Sequence, residues 1–362
     1  MFKSLHLWLP SYLRRPRTHW NSRPETHLML CICDHFEPFH DASRDEAIAR
    51  VRKWEREYPT LSASCRDSSG RALCHTFFYP IEQYDDDVLA TLASLCGATR
   101  CETEIHLHHR DDDAAHLATA LEKGKCDLAG HGLLSTDPAG ATRFGFVHGN
   151  WALDNSHPAG AFCGVRNELA VLEKAGCYAD FTMPSAPDPC QTATINSIYY
   201  ATPSDRPKSH DHGRPARAGT VDPDGFLLVQ GPLGLNWRRR KWGLLPRIEN
   251  ADLTPRNPPT LQRLELWLNL NVHVQGQPEW IFAKLHTHGG IPRNAEMLLG
   301  EPMRGFHRGL GQFSAAHPGF HFHYVTAREL VNIVHAAEAG KTGNPDDFRD
   351  FRYHSRLRPP AQ

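Results

Sequence analysis

Apolar residues in this chain gather into short blocks that turn polar abruptly, with helical stretches between them. The run HLMLCICDHFEPF (27–39) opens as a compact apolar block, the pattern of a strand buried on both faces, and becomes polar at Asp34. Ser43 followed by Glu46 gives a capping-box signature for a helix from 43 to about 57. LCHTFFYPIEQY (73–84) predicts a second buried strand, and 85–95 a helix with Gly97 just past its end. TEIHLHHRDDD (103–113) predicts a third strand that ends in charge, with a helix following to about Lys123. Further extended segments are predicted at 144–151, 178–182, 195–200, 226–237 and 280–289, with helices at 167–175, 261–274 and 324–341.

Strand and helix alternate throughout, which calls for a mainly parallel sheet in an α/β fold. The strands turn polar at their C-terminal ends, where such sheets place ligand chemistry. Residues 1–26 are basic and Pro-containing and predict a loosely packed lead-in, 27–341 a single catalytic-type domain, and 342–362 a tail. An insert is expected at about 184–260: from 184 to about 223 it is Pro-, Ser-, Asp- and His-rich, a long surface excursion, and 238–260 is a basic, Pro-rich loop.

Composition narrows the function. Over 362 residues, 40 Lys plus Arg oppose 41 Asp plus Glu, a net charge of −1. That balance predicts neither nucleic acid nor an anionic membrane surface as a partner. The N-terminal apolar stretch is broken by His6 and ended by Pro10, and no run approaches the ~20 apolar residues of a membrane span. A soluble, cytoplasmic protein is expected. Ten cysteines at irregular spacing form no CxxC pair, so reduced, mostly buried thiols are expected rather than a zinc knuckle. Histidine is in excess at 24 residues; His6, His19, His210, His212 and His317 lie in polar or Pro-rich stretches and predict surface positions.

The remaining histidines cluster where strands end. Alternation along 103–113 puts Glu104, His106 and His108 on one face and His109 on the other. Near-adjacent imidazoles followed by three carboxylates match the nitrogen and oxygen donors a divalent ion takes, although a solvated strand end would read the same way. Asp34, with Glu37 just beyond it, is a candidate ligand or general base. KLHTHG places His286 and His288 on one face together with Lys284; one imidazole suits a general acid, while the HxH spacing also suits metal ligation. FVHGNW supplies His148, Asn150 and Trp151, a donor, an amide and a flat ring for stacking on a sugar, or simply a turn with a half-buried tryptophan. No GxSxG elbow, Walker loop or dinucleotide fingerprint follows a strand.

The order of these motifs resembles the polysaccharide deacetylase family of the glycoside hydrolase/deacetylase superfamily. LCICDHFEPF is similar to the family's strand ending in aspartates, and EIHLHHRDDD to its histidine motif, with His108 at the first ligand position and Asp112 or His106 at the second. NELAVLEKAGCYADFTMP, KLHTHG and HYVTARELV are similar to the later helix–strand, leucine–histidine and closing elements. The resemblance spans most of 28–338 and implies a distorted (β/α) barrel with mainly parallel strands. It also implies a divalent metal, zinc, and removal of an acetyl group from an N-acetylated carbohydrate. Asp34, His108, Asp112 and His106 would hold the ion; Asp34 or Glu37 would be the base and His286 the acid; His148, Asn150, Trp151 and His288 would bind substrate. Departures are visible: Asp34 is followed by His35 where the family pairs aspartates, FVHGNW lacks the family's arginine, and the 184–260 insert is additional. Two alternatives stand beside it: a metal-independent glycoside hydrolase with paired carboxylates, and a non-catalytic carbohydrate-binding relative.

Overall fold

A computed structural model describes residues 4–357; the first three residues of the expected lead-in and residues 358–362 of the expected tail lie outside it. The fold is mixed α/β with a mostly parallel central sheet. Its strands are β1 (Thr26–His35), β2 (Thr76–Pro80), β3 (Glu102–Leu107), β4 (Thr142–His148), β5 (Cys177–Asp180), β6 (Ile198–Ala201) and β7 (Phe226–Val229). They continue with β8 (Gly234–Lys241), β9 (Leu245–Glu249), β10 (Trp280–Thr287) and β11 (Phe320–Tyr324). The helices are α1 (Leu5–Arg14), α2 (Arg44–Ser64), α3 (Asp86–Ala98), α4 (Ala114–Gly130), α5 (Glu168–Lys174), α6 (Leu261–Leu270), α7 (Pro292–Leu299), α8 (Glu301–Ala316) and α9 (Ala327–Glu338).

The strand order is β10-β1-β2-β3-β4-β5-β7-β6, with β11 also paired to β1. Every pairing along it is parallel except β6 with β7. The strands alternate between two apolar surfaces. Leu28, Leu30 and Ile32 of β1, with Phe77, Ile105, Phe146 and Leu285, pack against helix residues such as Trp54, Leu92, Leu121 and Leu264. The opposite face gathers Met29, Cys31, Cys33, Phe78, Val147 and Phe282 around α9. All twelve residues of α9 are buried, and its polar side chains have buried partners: Arg328 donates to Glu102, Glu329 accepts from Arg349, and Asn332 donates to the Arg349 carbonyl. Parallel register brings the strand ends together: Cys33 lies opposite His286, Asp34 opposite Thr287, and His106 opposite Val147.

Several local expectations hold in geometry. Ser43 and Glu46 form a reciprocal capping box on α2, and nine of the ten cysteines are buried with no disulfide among the described residues. Others change. The lead-in is not loose: α1 buries Trp8 and Tyr12 against Leu233 and Leu270. Strand β3 ends at Leu107, so His108 and His109 stand beyond it. The segment predicted as a basic loop holds the hairpin β8–β9, a separate two-stranded sheet. Helices α7 and α8 lie in a stretch where no element is predicted; Gly305, Gly309 and Gly311 lower the helical propensity of α8, and burial of Met303, Phe306, Leu310 and Phe313 overrides it. His210, expected at the surface, is fully buried near Asp154. No helix among the described residues is long and apolar enough to cross a membrane.

Candidate metal centre

Strand β1 ends with two ionisable neighbours that face opposite sides, because successive side chains in a strand alternate. Asp34 falls on the face of Leu30 and Ile32, away from His35. Its Oδ2 lies 2.8 Å from His75 Nε2 and its Oδ1 accepts the Gly289 N–H at 2.5 Å. A Cβ on Gly289 would meet Asp34 Oδ2 at 2.0 Å, so a glycine is required there. Both carboxylate oxygens are thus engaged, one with His75 ahead of β2 and the other with the turn after β10, which places the expected ligand and base in a buttressing position.

His35 faces the other way, into a cluster of rings. It is buried, and neither of its nitrogens has a hydrogen-bond partner. Its ring centroid lies 5.0 Å from that of His106, 4.8 Å from His288, 6.0 Å from His286 and 5.0 Å from Trp151. Burial, then the proximity of His288, His106 and His286, pushes its pKa well below the usual imidazole value. His35 therefore stays neutral and keeps a lone pair available.

His106 and His108 are oriented by what their Nδ1 atoms touch. His106 Nδ1 lies 3.0 Å from the Val147 carbonyl, which can only accept, so Nδ1 carries the proton. His108 Nδ1 lies 2.7 Å from Glu82 Oε1, with the same consequence, and its pKa is raised because Glu82 outweighs burial. Gly149 permits this packing, since a Cβ there would meet the His108 ring at 2.3 Å. Both imidazoles then direct Nε2 toward Glu37 Oε1, at 3.3 and 3.8 Å, and in the neutral tautomer of His106 that nitrogen is unprotonated. Burial would push the Glu37 carboxyl up, but the His106 imidazole beside it, with His288 and His108, holds it at about 2, so it is anionic.

In that tautomer two acceptors oppose one another: His106 Nε2 is buried without a hydrogen bond and faces a carboxylate oxygen. Such an arrangement is repulsive unless a proton or a cation lies between them. One proton would serve His106 and Glu37 and leave both nitrogens of His35 unserved. A cation takes donors from all three, and His35, Glu37 and His106 offer atoms within 4.8 Å of one another. Imidazoles anchored through Nδ1 to a carbonyl or carboxylate are also the usual outer support of metal-bound histidines. The residues fit a divalent ion.

The other expected residues divide. Glu37, His108, Trp151, His286 and His288 line a cavity of about 1000 Å³. His286 and His288 form the wall facing His35, and burial holds both imidazoles below their usual pKa. Asp112 is drawn aside, bonded to His116 at 2.6 Å and 3.1 Å from His109. His148 falls on the helix-packed face, with its ring 4.7 Å from His109. Its Nδ1 accepts the Asn150 N–H at 3.2 Å, and Asn150 is half-buried outside the cavity wall.

His109, His148, Cys163 and Glu168 form a second buried group able to hold an ion, and Asp67, His323 and Asp346 a third. Each fits less well. Neutral His148 carries its proton on Nε2 and offers no lone pair toward Glu168, while Glu168 Oε1 lies 3.0 Å from His109. In the third group the guanidinium of Arg349 already contacts Asp67 and Asp346.

Sequence reasoning passed over His35, Glu82, Asp252, Arg256 and Arg293, all of which line or support the cavity. His35 was legible: it shares the face of Cys31 and Cys33 in a strand of period two. The insert residues were not, since nothing local places Asn250–Arg256 beside His286, where Asp252 forms a parallel bridge to β10. No family model matches the chain, and no curated protein matches it.

Proposed function

We propose that the protein is a metal-dependent hydrolase that removes an acetyl group from an N-acetylated carbohydrate, on a distorted (β/α) barrel of the polysaccharide deacetylase type. One observation carries the reading: two buried imidazoles, His35 and His106, and the Glu37 carboxylate offer donor atoms within 4.8 Å of one another, with neither nitrogen of His35 hydrogen-bonded. The barrel reading draws support from Lys284 of β10, which spans to the carbonyls of Phe181 and Met183 beyond β5.

His35, His106 and Glu37 would hold the ion, with His108 beside them. Zinc suits this mixed nitrogen and oxygen set. A divalent ion supplies Lewis acidity there, acidifying water and polarising an acyl carbonyl. His286 and His288, neutral near pH 7, stand across the cavity as proton carriers: one imidazole accepts a proton from the attacking water and returns it to the departing amine. Trp151, in the same wall as His286 with ring centroids 5.3 Å apart, offers a sugar-stacking face. Asn250 and Asp252 line the same cavity and can take hydroxyl hydrogen bonds.

The test is metal content of the purified protein beside His106→Ala, together with acetate release from N-acetylated oligosaccharides. Stoichiometric zinc lost in the variant, and activity removed by chelation and restored by zinc, are expected. Negligible metal in both proteins overturns the centre. Glycoside cleavage that survives EDTA would replace the reading by the two-carboxylate alternative, and bound metal without turnover by a binding function.

A further inference from the structure

The hairpin β8–β9 and its turn stand apart from the main sheet and carry an unusual surface. Trp242 is 83% exposed, Leu244 76%, Trp237 55% and Leu245 52%, all within nine residues. Large apolar side chains on a soluble face normally find cover, and a cluster of this kind marks an interaction site. The same segment, GLNWRRRKWGLLPRI (234–248), holds five cations and no acid. Arg239, Arg240, Lys241 and Arg247 have no carboxylate within ion-pair distance among the described residues; Arg238 is bonded to Glu265. Arg240 and Lys241 lie 6.0 and 5.9 Å from the ring centres of Trp237 and Trp242.

We infer that this hairpin docks on an anionic lipid surface, with Trp242, Leu244 and Leu245 entering the interface and the flanking cations meeting lipid headgroups. Tryptophan and leucine beside Arg and Lys are the combination that partitions into the headgroup region, where indole rings favour the boundary and cations the negative surface. Charge decides against the competing occupants. A second copy packed symmetrically would set five cations against five, which self-repels. A nucleic acid would use the cations but leave Leu244 and Leu245 without a partner, since aliphatic tips neither stack on bases nor hydrogen-bond.

Between the hairpin and α1 runs an apolar groove of about 640 Å³, lined by Leu5, Leu9, Trp242, Leu245 and Ile248. It shares Asn250, Asp252, Thr254 and Arg256 with the wall of the histidine cavity, so the docking surface adjoins that cavity. The chain's net charge of −1 conceals this local patch, because the balance is struck over the whole sequence.

Co-sedimentation of the full-length protein with vesicles tests the inference. One set is phosphatidylcholine alone and the other contains roughly 30% phosphatidylglycerol, at about 0.05 M salt where screening is weak. Two variants are compared: Trp242→Ser/Leu244→Ser/Leu245→Ser, and Arg240→Glu/Lys241→Glu/Arg247→Glu. Binding several-fold stronger to the anionic vesicles, weakened by salt and cut at least tenfold in both variants at unchanged Tm, is expected. Absence of vesicle binding, or binding equal in all three proteins, overturns it. So does a dimer in sedimentation velocity that the apolar variant dissolves while vesicles capture nothing, or retention on oligonucleotides alone. None of these readouts depends on hydrolytic activity.

Discussion

Glu37 Oε1 lies 3.3 Å from His106 Nε2, and the proton of that imidazole sits on its other nitrogen, held by the Val147 carbonyl. An anionic oxygen and a lone pair are thus pressed together inside the protein. On the proposed reading a cation between them would relieve that contact, so ion binding and folding would be linked.

Chelation is expected to lower the thermal midpoint by several degrees. A ligand present at ~1000 times its dissociation constant adds about 4 kcal/mol to stability. Calorimetry with and without EDTA measures the loss. The His106→Ala protein should show almost no response to the chelator, and a wild-type Tm indifferent to EDTA would contradict the linkage.

Asp34→Asn separates structure from ligation. Because its carboxylate bonds His75 and the Gly289 N–H, the substitution should destabilise by about 1–3 kcal/mol in urea titration, the cost of leaving a buried hydrogen-bonding group without its partner. Zinc stoichiometry of the folded protein should stay at the wild-type value. Loss of the metal with the fold intact would return Asp34 to the ligand set.

Stability should fall with acid well before the carboxylates titrate. His307 is buried, accepts the Tyr324 hydroxyl at 2.8 Å, and is pushed down to about 3 by burial. Between its unfolded value near 6.5 and about 3, only the unfolded state binds the proton. Lowering the pH through that window therefore costs about 1.4 kcal/mol per unit for this residue. His307→Asn should reduce the slope of unfolding free energy against pH by that amount between pH 6.5 and 4.5. An unchanged slope would show that His307 protonates in the folded protein.

Trp151→Ala should raise KM for an N-acetylated oligosaccharide roughly tenfold with little change in kcat, since a lost aromatic contact is worth about 1–1.5 kcal/mol. A ring used only for ground-state binding shifts KM alone. Steady-state kinetics on one oligosaccharide decide it. A drop in kcat at constant KM would place the indole beside the reacting centre instead.

The alternation of apolar blocks with helical stretches was enough to determine a mainly parallel α/β sheet with its polar residues at the strand ends, because side-chain periodicity is local. The Ser43–Glu46 cap and the apolar character of β1 and β10 were legible for the same reason. So were Glu37, His106, His108, Trp151, His286 and His288 as neighbours, since each follows or ends a strand and parallel register gathers those ends. Which of two adjacent residues joins the histidine cluster was decided by the fold: a single step along β1 sends Asp34 to Gly289 and His35 to His106. Asp112 and His148 were drawn to a neighbouring network by His109, His116 and Asn150, partners that only packing supplies. The cavity wall at 250–256 and the exposed hairpin tip likewise depend on contacts between segments far apart in the chain. Periodicity carries no record of such contacts, because they are set by how the layers close over one another.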